Sequence, residues 1–419
     1  MKRFRMFAGP NGSGKSTLIE DVKKHYNVGY FVNADGTPFF WNGDTCWKLF
    51  WEFTYEEAVI YLKDRAKKGF NVIMVHLLPH RIHKCNRYAE LPFMEQGDVT
   101  RLNPNYFDYV ERVISFAKKL NIGFAIAPMW LSKWEQDWHK YFKGEAALKY
   151  SELVAKRLSH LDNIVAFIHG GDDDAIGKHD SVREAAKIYK KFAPNVLATF
   201  HSGIGAGWKF FGEESWYDFC FAYTYHYDEF INQLKDAKKK YPNKPAILGE
   251  THYEGNYQIT AHTIRKYAYT SVFLGNVGHT YGNKEIWMYT MFWSNELFSE
   301  CSHHMVILNE LANEMKFERF VGDFTGNEYE NVRCIMPDAS DKLIPCAVSE
   351  NEIYAYIDDY RWFSPKEKWK EGYFIDPISG RKQEIVPVKH ELIPFNTRVL
   401  QIPGKNAGGD LDWILYMRR

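Results

Sequence analysis

Two acidic clusters in this chain are placed to do chemistry. His169-Gly170-Gly171-Asp172-Asp173-Asp174 and Gly249-Glu250-Thr251-His252-Tyr253-Glu254 each close an apolar run. A carboxyl group at each of two strand ends is the equipment for breaking an acetal. One, protonated, gives its proton to the leaving oxygen, and the other, ionised, meets the anomeric carbon from the opposite side. Asp172 and Glu250 fit these roles best. The two glycines before Asp172 allow close backbone approach, and Glu250 ends the run Ala246-Ile247-Leu248, which is suited to burial. Asp173, Asp174 and Glu254 read more simply as helix caps or members of surface ion pairs. A double displacement requires the pair to stand about 5–5.5 Å apart.

The elements that must position the pair repeat from Phe39 to Tyr289: a short apolar run ending in polar residues, then a helical stretch. The runs are Phe39–Trp47, Phe70–Pro79, Ile122–Trp130, Asn163–Asp172, Asn195–Gly203, Trp216–Tyr227, Pro245–Glu254 and Gly278–Tyr289. Between them apolar residues recur at three-to-four spacing, as in Ala58, Tyr61, Leu62, Ala66 and in Tyr106, Val110, Val113, Ile114, Ala117. Eight alternating units predict an α/β fold of the (β/α)8 TIM-barrel type over residues 36–318, with its active site at the C-terminal rim. Strands four and seven then face each other across the mouth. From residue 319 to 419 short alternating runs, among them Asn331–Ile335, Glu352–Ile357, Glu371–Asp376, Thr397–Gln401 and Asp412–Tyr416, predict a small antiparallel β-sandwich.

Around the pair, other strand ends supply candidates for meeting sugar hydroxyls and ring faces. These are Asp44 and Trp47 from the first strand, His76 from the second, Trp130 from the third, His201 from the fifth, His226 from the sixth, Tyr253 from the seventh and Tyr281 from the eighth. Aromatic residues make up 17% of the chain, with 13 Trp and 27 Tyr, a supply suited to stacking on sugars. Lys plus Arg and Asp plus Glu balance at 53 each, so no bulk field draws the chain to nucleic acid or an anionic membrane. A carbohydrate is the expected partner, with no cofactor and no metal site. Six scattered cysteines show no zinc spacing. Met1 to Met6 lacks the apolar core of a secretory signal, which predicts a cytoplasmic protein. Nothing in the sequence signals an oligomeric state.

Residues 9–17, GPNGSGKST, match the phosphate-binding loop at Gly9, Gly14, Lys15 and Ser16. The stretch 1–35, including Asn33-Ala34-Asp35, resembles the start of zeta-toxin-like kinases. A working nucleotide fold needs further strands and an acidic residue for Mg²⁺, yet Val72–Pro79 ends in His-Leu-Leu-Pro. The segment therefore reads as a P-loop-like fragment ahead of the barrel. The rival functions are a nucleotide-binding small-molecule kinase using Gly14, Lys15 and Ser16, and a non-catalytic carbohydrate- or matrix-binding protein.

Several ordered motifs carry a family resemblance. The run Asp35 to Trp47 (DGTPFFWNGDTCW), Arg65 to Val72 (RAKKGFNV), Gly170-Gly171-Asp172, Gly249-Glu250, Tyr253-Glu254-Gly255 and Gly278-His279-Thr280-Tyr281-Gly282 resemble the apiosidase-like glycoside hydrolases. Phe374 to Gly380 (FIDPISG) and Asp412-Trp413 resemble the β-domain that commonly follows and is labelled collagen-binding. The resemblance implies a retaining, exo-acting hydrolase with Asp172 as acid/base and Glu250 as nucleophile. Activity known in that family is release of apiose from the pectic polysaccharide rhamnogalacturonan II. Its members are usually exported, and many carry Trp where Phe167 stands here.

Overall fold

The eight apolar runs form eight strands that curl into one barrel. In the computed structural model, the residues described are 7–8, 29–132, 137–322, 332–334, 343–358, 362–365, 370–385, 387–388 and 399–418. The loop motif at Gly9, Gly14, Lys15 and Ser16 lies outside them. The barrel strands are β1 (Trp41–Thr45), β2 (Val72–His76), β3 (Gly123–Ala127), β4 (Ile164–Gly170), β5 (Leu197–His201), β6 (Cys220–Tyr223), β7 (Ala246–Glu250) and β8 (Gly278–Tyr281). Each pairs in parallel with its neighbour from β1 to β5 and from β6 through β8 back to β1.

The seam lies between β5 and β6. There the Asp218 amide donates to the Ala198 carbonyl at 2.9 Å and Thr199 Oγ1 donates to the Phe219 carbonyl at 2.8 Å. A short strand, Gly205–Ala206, runs antiparallel to β6 and completes a nine-stranded, nearly closed sheet. The connection from β5 to β6 holds only a four-residue helix, Trp208–Phe211. That leaves less to wedge the two strands into register than the full helices leave elsewhere.

Side chains alternate across each strand, so one parity fills the barrel and the other meets the helices. Met74, Phe221 and Ile247 join a buried cluster with Trp41, whose indole Nε1 donates to Thr280 Oγ1 at 3.1 Å. Two residues further along the same inward rows come His76 on β2 and Tyr223 on β6, carried to the rim by that alternation. At the other end Phe31 closes the barrel. It lies on the strand Phe31–Val32, paired antiparallel with Pro38–Phe39, and its ring meets Phe219 at 5.3 Å.

The helices follow the predicted faces. In α1 (Tyr55–Lys67) Ala58, Tyr61, Leu62 and Arg65 are buried, and the helix starts in a capping box in which Thr54 and Glu57 satisfy each other's backbone amides. In α2 (Pro104–Lys118) Tyr106, Val110, Val113, Ile114 and Ala117 are all buried behind an Asn103 cap and a proline in the first turn. The remaining longer helices are α3 (Gly144–Leu158), α4 (His179–Phe192), α5 (Tyr227–Lys240), α6 (Ala261–Phe273) and α7 (Glu300–Met315). Among the described residues no helix is long and apolar enough to cross a membrane.

The C-terminal region is antiparallel throughout its described strands. One sheet has six strands, with Glu352–Ile357 and Glu371–Ile375 flanking Trp413–Arg418, and a second has four. Ile353, Ile357, Phe374, Trp413 and Leu415 pack with Leu400 of the second sheet, as a sandwich requires. The outer face of the six-stranded sheet lies on α6. Tyr269 stacks on Tyr356 at 5.3 Å, and the buried Arg265 reaches both oxygens of Asp412, at 3.0 and 2.8 Å. A bidentate buried pair has one good geometry, so it fixes how the two modules sit.

Candidate active site

The β4 strand must deliver Asp172 past a crowded rim, and its glycines explain how. Gly170 and Gly171 take φ of +88° and +123°. A Cβ on Gly170 would collide with the His201 carbonyl, and one on Gly171 would run into the Trp130 indole. The turn is tied across to β5 by the Gly171 amide, which donates to the His201 carbonyl at 2.8 Å. Asp172 follows with φ +42°, and its side chain is 42% exposed. Glu250 ends β7 beside Tyr223 of β6, with its side chain only 8% exposed. One carboxyl therefore stands at the lip and the other at the floor.

His201, at the end of β5, lies between them. Its Nε2 is 2.6 Å from Glu250 Oε2, its Nδ1 is 2.9 Å from the Ser202 carbonyl and 3.9 Å from Asp172 Oδ1. Carboxylate, imidazole and carboxylate present atoms that all fall within 4.8 Å of one another. Such a trio has the spacing to grip a cation, but a carbonyl and a carboxylate facing the two ring nitrogens call for an N–H on each. An imidazolium answers both.

Burial alone would depress His201. The hydrogen bond that His201 donates to Glu250, the charges of Glu250 and Asp172 and the Ser202 carbonyl outweigh it and raise the group above its ordinary value. A histidine raised in the folded state stabilises the fold fully below its unfolded value near 6.5, and that contribution is lost as pH rises through the higher folded value. The melting temperature of the wild type should therefore exceed that of His201→Gln by more at about pH 5 than at about pH 9. A gap that stays constant or widens with pH would contradict the assigned imidazolium.

Glu250 has a second holder. Tyr253 Oη donates to Glu250 Oε1 at 2.7 Å while accepting from Trp47 Nε1 at 2.7 Å. Burial, then the charge of Glu250, pushes the Tyr253 phenol well above its usual range, so it remains a donor. The wall beside this chain is aromatic: Trp130 lies 4.1 Å from His76, 5.2 Å from Trp47 and 4.9 Å from His201 between ring centres. His76 is held neutral, first by burial and then by His80, His201 and Lys48 around it. Its Nδ1 lies 3.1 Å from His80 Nε2.

The structure thus brings together Asp172, Glu250, Trp47, His76, Trp130, His201 and Tyr253. Three expected contacts are placed elsewhere. Asp44 has the outward parity of β1, and its carboxylate is enclosed between barrel and α1 by Arg65 Nε at 2.5 Å, Tyr61 Oη at 2.6 Å and the Thr45 amide at 2.8 Å. It has no route to a substrate. Tyr281 also points outward, since its neighbour Thr280 takes the inward place; its hydroxyl donates to Glu254 at 2.5 Å and lies 2.9 Å from Ser299 Oγ. Glu254, expected in a surface ion pair, is buried there and also accepts from the Cys301 amide. His226 lies beyond the end of β6 as the exposed first cap of α5.

The residue that β6 actually contributes is Tyr223, whose ring lies 4.7 Å from His201. Its signal was the inward row Phe219, Phe221, Tyr223, with the strand ending three residues before His226. Phe167 faces Tyr189 on the helix side, at 4.5 Å.

Comparison with known proteins agrees with this fold. A model of the apiosidase-like catalytic domain family matches residues 25–319. A solved structure described as a glycoside hydrolase superposes with a TM-score of 0.82 at 21% identity, over 99% of this chain and 97% of that one. A family 5 glycoside hydrolase from Bacteroides vulgatus superposes with a TM-score of 0.79 at 20% identity, over 93% of this chain and 90% of the other. Among curated proteins, none matches the sequence.

Proposed function

The chain belongs to the apiosidase-like family of glycoside hydrolases, and from that premise we propose that it is a retaining, exo-acting enzyme that removes a terminal sugar from pectic oligosaccharides of plant cell walls. The observation that carries this reading is the gap between Asp172 and Glu250. Their closest oxygens lie within 4.8 Å, which fits the roughly 5–5.5 Å of a double displacement and leaves no room for the water that an inverting pair needs at about 6.5–9.5 Å.

In the first step a Glu250 oxygen attacks the anomeric carbon while Asp172 gives its proton to the departing oxygen. Each Glu250 oxygen accepts one hydrogen bond, from Tyr253 or from His201, and keeps a lone pair for the attack. In the second step Asp172 takes a proton from water, which releases the sugar and restores Glu250. The roles suit the depths: an exposed lip for proton exchange, a buried floor for the covalent bond. An exo-acting site suits the wall of Trp47, His76 and Trp130 beside Glu250, which offers ring faces to a terminal sugar.

A panel of aryl glycosides and pectic oligosaccharides tests the reading. Wild type should release a single sugar from at least one of them, 4-nitrophenyl apioside first, and Glu250→Ala should not. Equal inactivity of both proteins on every substrate would remove the pectic assignment.

A further inference from the structure

An indole N–H donates and never accepts, so the 2.7 Å contact between Trp47 Nε1 and Tyr253 Oη fixes the phenol as the acceptor there. The phenol's own proton then goes to Glu250 Oε1, also at 2.7 Å. A hydroxyl in place of the indole could turn the chain round and leave Glu250 without this donor; the indole cannot. Trp47 and Tyr253 are only 4% and 5% exposed. The relay therefore runs out of water, where each hydrogen bond is stronger and polarises the next.

The parts of the relay come from separate strand ends that are tied together. Trp47 follows β1, and its carbonyl accepts from the His76 amide of β2 at 3.0 Å. Tyr253 follows β7, where the Glu254 amide donates to the Gly282 carbonyl at 2.9 Å and laces this loop to the one after β8. The Tyr253 ring lies against Gly282, where a Cβ would run into its Cδ1 and Cε1 atoms. Gly282 has a φ outside the left-handed region, so lack of space alone calls for glycine there. Trp287 also packs on the ring, with 5.7 Å between centres.

We propose that Trp47 is a positioning residue for the nucleophile, acting through Tyr253: its N–H sets the direction in which the phenol donates, and Gly282 leaves the phenol the space to do so. That Glu250 is the nucleophile rests on the double displacement proposed above. The relay holds Glu250 Oε1 to one line while His201 holds the other oxygen, so the carboxylate meets the anomeric carbon without searching rotamers. Trp47 thus has a task beyond the sugar contact expected from its place at a strand end.

The test measures kcat and KM on 4-nitrophenyl apioside for Trp47→Phe, Tyr253→Phe and the double variant. Trp47→Phe keeps an aromatic ring and loses the N–H. It should lower kcat on the order of tenfold with KM within about twofold, and in the Tyr253→Phe background it should change kcat/KM by less than about twofold. A rise in KM alone, or two effects that multiply in the double variant, would make Trp47 a sugar contact and overturn the proposal. A second measurement needs neither turnover nor a change at Trp47. In protein carrying isotope-labelled tryptophan, Glu250→Gln should shift the indole proton resonance of Trp47, and Tyr253→Phe should abolish that response. A resonance indifferent to Glu250→Gln, or one that responds equally without the Tyr253 hydroxyl, would also overturn the proposal. If wild type turns over no substrate, the glycosidase reading fails separately, and the indole resonance still decides the relay.

Discussion

Glu250→Gln is expected to lower kcat/KM on an aryl glycoside by about ten-thousand-fold or more, because it removes the proposed nucleophile and leaves the shape of the site almost intact. The amide keeps an oxygen to accept from Tyr253 and the volume to fill the floor, so substrate binding should change little, while loss of the charge facing His201 should lower the melting temperature, most at acid pH. Asp172→Ala should behave differently. With 4-nitrophenyl substrates the leaving group needs no proton, so the first step survives and the second, which needs a base, becomes slow. Added azide should then restore turnover in Asp172→Ala, which leaves space beside the trapped sugar. It should trap a product of opposite configuration in Glu250→Ala. Retention of more than about a hundredth of wild-type kcat/KM by Glu250→Gln would exclude it as the nucleophile.

The second large effect is on stability and leaves catalysis aside. Asp44→Asn removes the negative partner of Arg65, whose side chain is fully enclosed. Burial holds the Asp44 carboxyl above its usual value even with Arg65 and Tyr61 against it, which measures how poor this environment is for a charge. Making such a pair adds little over an apolar packing, but breaking it strands a guanidinium, at a cost of about 3–5 kcal/mol. Asp64, which also reaches Arg65 at 2.6 Å, is only partly buried and offsets some of this. A fall in melting temperature on the order of 10 °C follows for a domain of this size. The activity of the protein that remains folded should keep its KM, and Asp44→Leu with Arg65→Met should be less damaging than the two single changes added together. A raised KM with unchanged melting would instead return Asp44 to the substrate site.

This contrast marks where sequence was enough. The barrel was legible because eight runs each recur with a helix of clear apolar face, and because strand ends of a barrel gather at one rim. The meeting of Asp172 and Glu250 at that rim was legible for the same reason, helped by glycines that only a close approach requires. What local pattern left open was the side from which each strand-end residue leaves the sheet. Asp44 and Tyr281 sit one residue out of step with Trp41 and Thr280, and that parity becomes decisive only once Trp41 is known to lie inside. Their partners, Arg65 and Ser299, come from helices or turns distant in sequence and are set by packing. His226 lies three residues past the end of β6, a boundary that the short helix before the strand does little to fix, and the seam of the barrel lies there.

The most direct test of the carboxyl pair is proton NMR of the first sugar released, recorded before its anomers equilibrate. With Asp172 and Glu250 acting by double displacement, the first anomer to appear has the configuration of the bond that was cut. If the opposite anomer appears first, water attacks directly, and Glu250 is not the nucleophile.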